Sequence, residues 1–164
     1  MFNSISSLRG RLVCVALVAA FVLGTTACPQ PTTETNSNTV FSTWTNTTEK
    51  YELNQTAATY NNYYGASGAY TLYYSCSDVT VVPTTDTTGY IYAKFNDASH
   101  IGSGATVGQW YAVYYKNLTD TSVSFSQAYK DGGKASVESL EAAKTEYTVD
   151  NGYFGSFSEL TKAE

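Results

Sequence analysis

From residue 40 onward, polar and apolar side chains alternate with a period of two residues, and this pattern constrains the fold more than any other feature. In residues 70–76, the even positions are Tyr, Leu, Tyr and Cys, while the odd positions are Thr, Tyr and Ser. In residues 121–129, Val123, Phe125 and Tyr129 are separated by polar or small residues. Because successive side chains of a strand point to opposite faces, each segment predicts a strand with one buried face and one solvated face.

Composition supports the same assignment, since all 15 tyrosines follow residue 40 and accompany abundant Thr, Val and Ser. These residues suit a pleated, half-buried surface better than a helix. Further strands are predicted at residues 40–46, 49–54, 56–61, 79–82, 89–95 and 109–118. Turn-rich segments separate them, at 65–68, 83–88, 96–104 and, as Asp-Gly-Gly, at 131–133. Such an antiparallel meander has to hide its edges, so the sequence predicts an all-β domain, either a small barrel or a two-sheet sandwich.

One C-terminal helix interrupts the strand pattern. Ser136 is a good N-cap, Glu141 lies near the positive end of the helix dipole, and apolar residues recur every three to four positions from Val137 to Tyr147. We expect this helix to pack against the outside of the barrel or across one mouth. Residues 149–157 should follow as a last strand or as a packed aromatic tail.

The first residues are typical of an export signal. Arg9 and Arg11 lie in a short basic start, residues 12–23 form an unbroken apolar run, and small residues lead to Cys28. A helix of that length rises only about 18 Å, against a hydrocarbon core of roughly 30 Å, so it is too short for a comfortable span. We therefore expect residues 1–27 to be removed as a signal peptide.

Residues 25–28, Thr-Thr-Ala-Cys, resemble the lipobox of bacterial lipoproteins, in which the cysteine receives diacylglycerol on its sulfur and becomes the new N-terminus. Thr25 departs from the pattern, because most such boxes carry an aliphatic residue there. The alternative is an ordinary small-x-small cleavage that releases a soluble protein beginning at Cys28. Acyl chains, at about 0.8 kcal/mol per buried methylene, would hold the lipidated protein on a membrane.

This processing predicts three parts: the signal peptide at 1–27, a lipidated N-terminus and flexible tether at 28–39, and a single β domain at 40–164. The tether has no aliphatic or aromatic residue after Cys28. With Cys28 acylated, Cys76 has no intramolecular partner and is a small core residue. If Cys28 stayed a free thiol, a bridge between Cys28 and Cys76 could form in an oxidising compartment.

Charge limits the partners. Both arginines lie in the predicted signal, which leaves seven lysines against 14 Asp and Glu. This acidic balance argues against nucleic acid and against electrostatic docking to anionic lipid, so we expect membrane contact through N-terminal acyl chains alone. Pro29 does not resemble the aspartate that retains enteric lipoproteins on the inner membrane. We expect a cell-envelope location, anchored to the outer membrane, with the domain in the periplasm or at the cell surface.

The sequence contains little evidence of enzymatic activity. His100 is the only histidine, which removes most Ser-His, Cys-His and histidine-based zinc arrangements. Glycines at 102, 104 and 108 have neither the dinucleotide-binding nor the P-loop spacing. We predict that the protein is not an enzyme and has no catalytic residues, no metal and no cofactor.

Several segments of the β region together resemble lipoproteins of spirochaetes. They are Ser-Thr-Trp at 42–44, Tyr-Glu-Leu at 51–53, Gly-Tyr-Ile-Tyr-Ala-Lys at 89–94, and residues 110–118, 121–132 and 140–144. The segment 42–44 is also similar to the Gly-x-Trp of lipocalins, with Ser42 in place of the glycine. The resemblance covers most of the mature domain and implies a lipocalin-like barrel in the cell envelope. These proteins are mainly uncharacterised, so it implies no activity.

Two functions follow from such a barrel. A closed eight-stranded sheet can fill with side chains or enclose one small ligand. In the first hypothesis, a cavity for a small apolar ligand is lined by apolar and aromatic residues, namely Trp44, Tyr70, Leu72, Tyr74, Ile91, Trp110 and Phe125. If the barrel is filled, the same residues are ordinary core.

The second hypothesis is a structural or adhesive surface lipoprotein that binds a glycan, or an envelope or host protein, through exposed aromatic rings. Adjacent tyrosines occur at 63–64, 73–74 and 114–115. Neighbouring residues of a strand point to opposite faces, so one tyrosine of each pair can be exposed. Tyrosines on the solvent side of a sheet also occur simply because they pair across strands.

Overall fold

A computed structural model describes residues 39–101 and 104–164. These residues form eight strands and one helix, β1 (Thr43–Thr45), β2 (Glu49–Asn54), β3 (Thr59–Tyr64), β4 (Thr71–Pro83), β5 (Gly89–Asp97), β6 (Trp110–Lys116), β7 (Ser122–Gln127), α1 (Leu140–Glu146) and β8 (Ser158–Lys162). Each strand pairs with the next in antiparallel fashion, and β8 pairs with β1 to close the barrel. The predicted all-β, lipocalin-like barrel with one C-terminal helix is confirmed, and the sandwich does not form.

The loops gather at two ends of the barrel, because consecutive strands run in opposite directions. The upper end carries the β1–β2, β3–β4, β5–β6 and β7–β8 connections. The lower end carries the other three connections, the start of the domain at Thr39 and the C-terminus. The long β7–β8 connection, which includes α1, therefore belongs to the upper end.

Strand β4 joins two segments that the sequence predicts as separate strands, 70–76 and 79–82. Between them, Asp78 has a φ of +54°, and the pairing with β5 shifts register between Ser77 and Thr80. A β-bulge of this kind adds a residue to one strand without ending it. The polar residues at 77–78 interrupt the alternation, which explains why the sequence predicted a break.

Helix α1 begins later than predicted, with Ser139 rather than Ser136 as its N-cap. The Ser139 hydroxyl accepts a hydrogen bond of 3.1 Å from the backbone N–H of Ala142. Ser136 instead holds the preceding loop, donating to Gln109 Oε1 at 2.7 Å. The helix packs against β5 and β6. Either serine has a hydroxyl that can cap a helix N-terminus. The backbone conformation, which the sequence does not show, decides which of the two is the N-cap.

Residues 149–157 form the packed aromatic tail, and the last strand, β8, starts after them at Ser158. The ring of Phe154 lies 5.8 Å from that of Tyr90 and 5.6 Å from that of Tyr114, on the outside of β5 and β6. This connection therefore covers the outer wall of the barrel before the chain returns to the sheet.

Side chains fill the interior of the barrel. The largest of these fully buried side chains are Trp44, Tyr51, Tyr60, Tyr74, Phe95 and Phe125. Two pairs of these rings meet edge to face, with centroids 5.2 Å apart for Tyr51 and Phe125 and 5.6 Å apart for Tyr74 and Phe95. Aromatic pairs prefer this geometry, which explains how so many rings share one small core.

Trp44 closes the lower end of the barrel. Its indole N–H donates a hydrogen bond of 2.8 Å to the carbonyl oxygen of Val40, and both side chains are buried. Val40 and Phe41 lie beside residues of the three lower connections, so the start of the domain packs against the lower end. Trp44, the tryptophan of the Ser-Thr-Trp segment at 42–44, therefore holds the start of the domain against the core.

The predicted signal peptide at 1–27, the lipidation site at Cys28 and the tether up to residue 38 lie outside the described residues. The predictions about them stay predictions. In the part of the chain that the structure describes, no helix combines the length and apolar character needed to cross a membrane.

Candidate binding site at the upper mouth of the barrel

Four of the seven predicted cavity residues lie together in the barrel interior. Trp44, Tyr74, Ile91 and Phe125 are each at most 1% exposed. Their side chains belong to the packed core, so they surround one another rather than an open cavity.

The structure places the other three predicted residues away from this interior. Tyr70 lies in the β3–β4 connection, where its hydroxyl donates to the carbonyl oxygen of Asn46. Leu72 is 37% exposed and pairs with Tyr63 on the outside of the sheet. Trp110 pairs with Lys94, whose ammonium lies 5.2 Å from its ring. The seven residues therefore do not line one site.

A cavity of about 610 Å³ opens at the upper mouth instead. Its floor includes Tyr111 and Gln127, and its walls come from the β4, β5–β6 and β7–β8 segments. The wall residues are Tyr73, Ile101 and residues 128–135. The volume is in the range of small-molecule sites in proteins.

A β-bulge aims Tyr73 at this cavity. Pairing between β3 and β4 passes from Asn62 with Tyr74 to Tyr63 with Leu72, so Tyr73 is the extra residue of β4. Bulges at barrel rims redirect side chains in this way. The shift depends on the register of two strands, which the sequence does not show. Alternation alone therefore predicted that Leu72 faces the interior and Tyr73 the outside, the reverse of the arrangement in the structure.

Three aromatic rings form a row at the mouth. The Tyr73 ring lies 6.3 Å from that of Tyr64, and it stacks on the ring of His100 at 5.9 Å with an interplanar angle of 20°. Tyr64 is 56% exposed and Tyr73 is 36% exposed. The predicted exposure of one tyrosine in each adjacent pair is confirmed for 63–64 and 73–74. It is wrong for 114–115, because Tyr115 is buried and Tyr114 packs against Phe154. We call Tyr64, Tyr73 and His100 the aromatic row.

The floor of the cavity is a network of hydroxyl groups centred on Gln127. Its Oε1 accepts hydrogen bonds from Tyr74 at 3.1 Å and from Tyr111 at 3.4 Å, and its Nε2 donates to the Tyr51 hydroxyl at 2.9 Å. Burial raises the pKa of Tyr74 and of Tyr111 well above the ordinary value. These hydroxyl groups are therefore neutral at physiological pH and remain hydrogen-bond donors.

Asn62 adds unused hydrogen-bonding capacity beside this network. It pairs with Tyr51 on one side and with Tyr74 on the other, and it is fully buried. Neither polar atom of its side chain has a hydrogen-bond partner among the described residues. A buried amide without hydrogen bonds lowers the free energy of unfolding by about 1–3 kcal/mol. Asn62 thus adds a polar group to the interior at the level of Tyr51 and Tyr74.

The far wall of the cavity is a tight turn at residues 130–134. The Gly133 N–H donates to the Lys130 carbonyl at 2.9 Å, and the Lys134 N–H donates to the Tyr153 hydroxyl at 2.9 Å. That hydroxyl donates in turn to Glu146. Hydrogen bonds from Tyr153 and then from Lys134 hold the pKa of Glu146 below its ordinary value. The sequence predicted the turn, but not its contact with Tyr153.

A second, smaller groove of about 340 Å³ lies at the lower end. Its lining includes Val40, Phe41 and Leu118. Thr39 also lines it, so this groove lies where the chain enters the domain.

The described ranges contain no candidate metal centre. No group of three or more His, Cys, Asp or Glu side chains is placed to hold a metal ion in residues 39–101 and 104–164. Cys76 is a buried free thiol, and burial raises its pKa. It therefore has the character of a core residue rather than of a nucleophile.

A comparison with known protein families finds no family model that matches the chain, and no curated protein and no solved structure matches it. The geometry of the upper mouth therefore carries the functional interpretation.

Proposed function

We propose that this protein is an exported, lipid-anchored lipoprotein of the cell envelope that binds a glycan at the upper mouth of its barrel. The basic start, the apolar run and Cys28 support export and anchoring. The resemblance to spirochaete lipoproteins supports the same location.

The observation that carries the binding proposal is the stacked pair of Tyr73 and His100 beside a polar-floored cavity. A sugar ring presents an apolar face of C–H groups and an edge of hydroxyl groups. Aromatic rings at the mouth offer the apolar face a platform. Gln127 lines the cavity, and its Nε2 has a second N–H, beyond the one that donates to Tyr51, to donate to a sugar hydroxyl. This combination suits a glycan better than a fully apolar ligand.

The position of the tether supports the same assignment. The chain enters the domain at the lower end, where Thr39 lines the lower groove. The aromatic row lies at the opposite end of the strands. A membrane anchor upstream of Thr39 would therefore leave the upper mouth free to meet a ligand.

An apolar ligand inside the barrel has less support. Rings of Trp44, Tyr74 and Phe125 occupy the interior and are at most 1% exposed. Such a ligand would need these side chains to move apart, at the cost of the aromatic contacts that now fill the core. The adhesive hypothesis agrees better with the exposed rings of Tyr64 and Tyr73. The polar floor of the cavity favours a glycan as its partner.

The anchor is tested by replacing the lipidation site, Cys28→Ala, in the full chain. The wild type should partition into the detergent phase and show an intact mass with covalent acyl chains, while the variant should move to the aqueous phase once its signal is cleaved. A mature wild-type mass without acyl groups would contradict the anchor.

Glycan binding is tested on the mature protein with an array of immobilised oligosaccharides, followed by titration calorimetry. Tyr73→Ala should weaken binding about tenfold, which corresponds to about 1.4 kcal/mol. Leu72→Ala is the matched control, because Leu72 is equally exposed but lies outside the cavity. No glycan binding by the wild type, or equal losses in both variants, would contradict the proposal.

A further inference from the structure

We propose that the upper mouth selects glycans that carry an oxyanion, either a carboxylate or a phosphate ester, and that Lys130 is the specificity-determining residue. This inference rests on the proposed function and names the class of glycan.

The charge at the mouth differs from that of the protein as a whole. The chain carries seven lysines against 14 Asp and Glu. Two of these lysines, Lys130 and Lys134, line the cavity, and Asp131 is the acidic residue beside them. With Glu146 paired to Lys134, the two lysines are matched by two carboxylates, so the mouth is less acidic than the protein as a whole.

Lys130 has no carboxylate partner among the described ion pairs. By contrast, Lys50, Lys94 and Lys144 each lie within 2.9 Å of a carboxylate oxygen. The Lys130 ammonium instead lies 5.7 Å from the ring of Tyr153. The Lys130 charge also acts on Glu146, but it forms no ion pair with that carboxylate, so the ammonium can still bind an incoming anion.

Lys134 contributes less, because its ammonium is 3.0 Å from Glu146 Oε2. Its position is nevertheless fixed, since its backbone N–H binds the Tyr153 hydroxyl. We assign it a supporting role in which it holds the turn and adds partial positive charge to the cavity.

The turn presents Lys130 in a preorganised way. Gly133 packs so closely that a Cβ atom there would lie 2.8 Å from the Tyr153 hydroxyl and 3.0 Å from Lys130 Cβ. The hydrogen bonds from the Gly133 N–H to the Lys130 carbonyl and from the Lys134 N–H to Tyr153 order the backbone of the turn without a ligand, which lowers the entropic cost of binding.

The test compares matched oligosaccharides that differ only at one position, as the neutral sugar, its uronic acid or its phosphate ester. Calorimetry with the mature protein at low salt should show about tenfold tighter binding of at least one charged form, and 0.5 M NaCl should reduce the difference because ions screen exposed charges. The uronic acid and phosphate arms identify which oxyanion is preferred.

Lys130→Gln should remove most of this preference, because the affinity for the charged form should fall much more than the affinity for the neutral sugar. Lys116→Gln is the matched control, because Lys116 also lacks a described carboxylate partner but lies 3.5 Å from the ring of Phe157, outside the mouth. It makes the same change in net charge, so it measures any long-range effect.

Equal affinity for neutral and charged sugars in the wild type, or equal losses in the two lysine variants, would overturn the anionic preference. Glycan binding that still depends on Tyr73 would then leave the proposed function standing. Absence of all glycan binding would overturn both.

Discussion

The side-chain amide of Gln127 on β7 donates a hydrogen bond of 2.9 Å to the hydroxyl of Tyr51 on β2, across the interior of the barrel. Its carbonyl oxygen accepts from Tyr74 on β4 and Tyr111 on β6. One residue thus connects four strands beneath the upper mouth. The network stabilises the core and also sets the polarity of the floor of the candidate site.

Replacing this junction with an apolar side chain should destabilise the protein. Gln127→Leu leaves three tyrosine hydroxyls without their shared partner, and we expect the free energy of unfolding to fall by about 2–3 kcal/mol. Urea denaturation measures the change. Gln55→Leu, at an exposed position in a turn, is the control and should have an effect below about 0.5 kcal/mol. Equal effects of the two substitutions would refute the role of the network.

Two glycines should respond differently to the same added methyl group. A Cβ at Gly89 would lie 2.7 Å from the Val82 carbonyl oxygen and 2.8 Å from Pro83 Cα, both backbone atoms that cannot move without disturbing β4. Gly89→Ala should therefore cost about 1–3 kcal/mol. Gly155→Ala meets no atom within 4 Å, so its thermal midpoint should stay within a few degrees of the wild type. A neutral Gly89→Ala would show that β4 and β5 can separate locally.

Acid should loosen the turn that carries Lys130. The pKa of Glu146 is lowered by hydrogen bonds from Tyr153 and then from Lys134. A carboxyl with a depressed folded-state pKa contributes stability above its unfolded value, here 4.5, and loses that contribution as the pH falls through the folded value. The wild type should thus lose stability below about pH 4.5 more steeply than Glu146→Gln.

The same pH series needs an exposed control. Glu138→Gln changes an exposed carboxyl that has no hydrogen bond from a side chain among the described residues. The stability of this variant should therefore fall at acidic pH as steeply as that of the wild type. Circular dichroism across pH 3–7 measures all three proteins. Parallel curves for the wild type and Glu146→Gln would show that the Tyr153 contact does not stabilise the folded protein.

Much of the fold was predictable because alternation and turns are local signals. The strand predicted at 49–54 has the same bounds in the structure, and the turn predicted at Gly-Gly 132–133 forms. Local reasoning was wrong where backbone conformation decides, as at Asp78, whose positive φ lets β4 continue through a polar interruption. The choice of Ser139 over Ser136 as the N-cap has the same origin.

The candidate site was much less predictable, because each part depends on contacts between distant segments. Tyr73 faces the mouth through a register shift between β3 and β4. The turn at 130–134 is held by Tyr153, which follows it by about twenty residues in the chain. His100 has no motif around it, and only folding brings its ring onto Tyr73. Composition indicated that aromatic rings would be exposed, but not where they would meet.

The environment of Cys76 predicts how its thiol will react. Cys76 is fully buried in the barrel interior, and burial raises its pKa, so little thiolate forms at neutral pH. A water-soluble thiol reagent should leave it unmodified in the native protein and label it completely in 6 M guanidinium chloride. The Cys28→Ala variant isolates this thiol once the signal is removed, and an exposed cysteine at Ser67 (Ser67→Cys) in the same background is the positive control. Native labelling of Cys76 at the rate of that control would show that the barrel opens readily. It would also restore the bridge between Cys28 and Cys76 as a realistic alternative to lipidation.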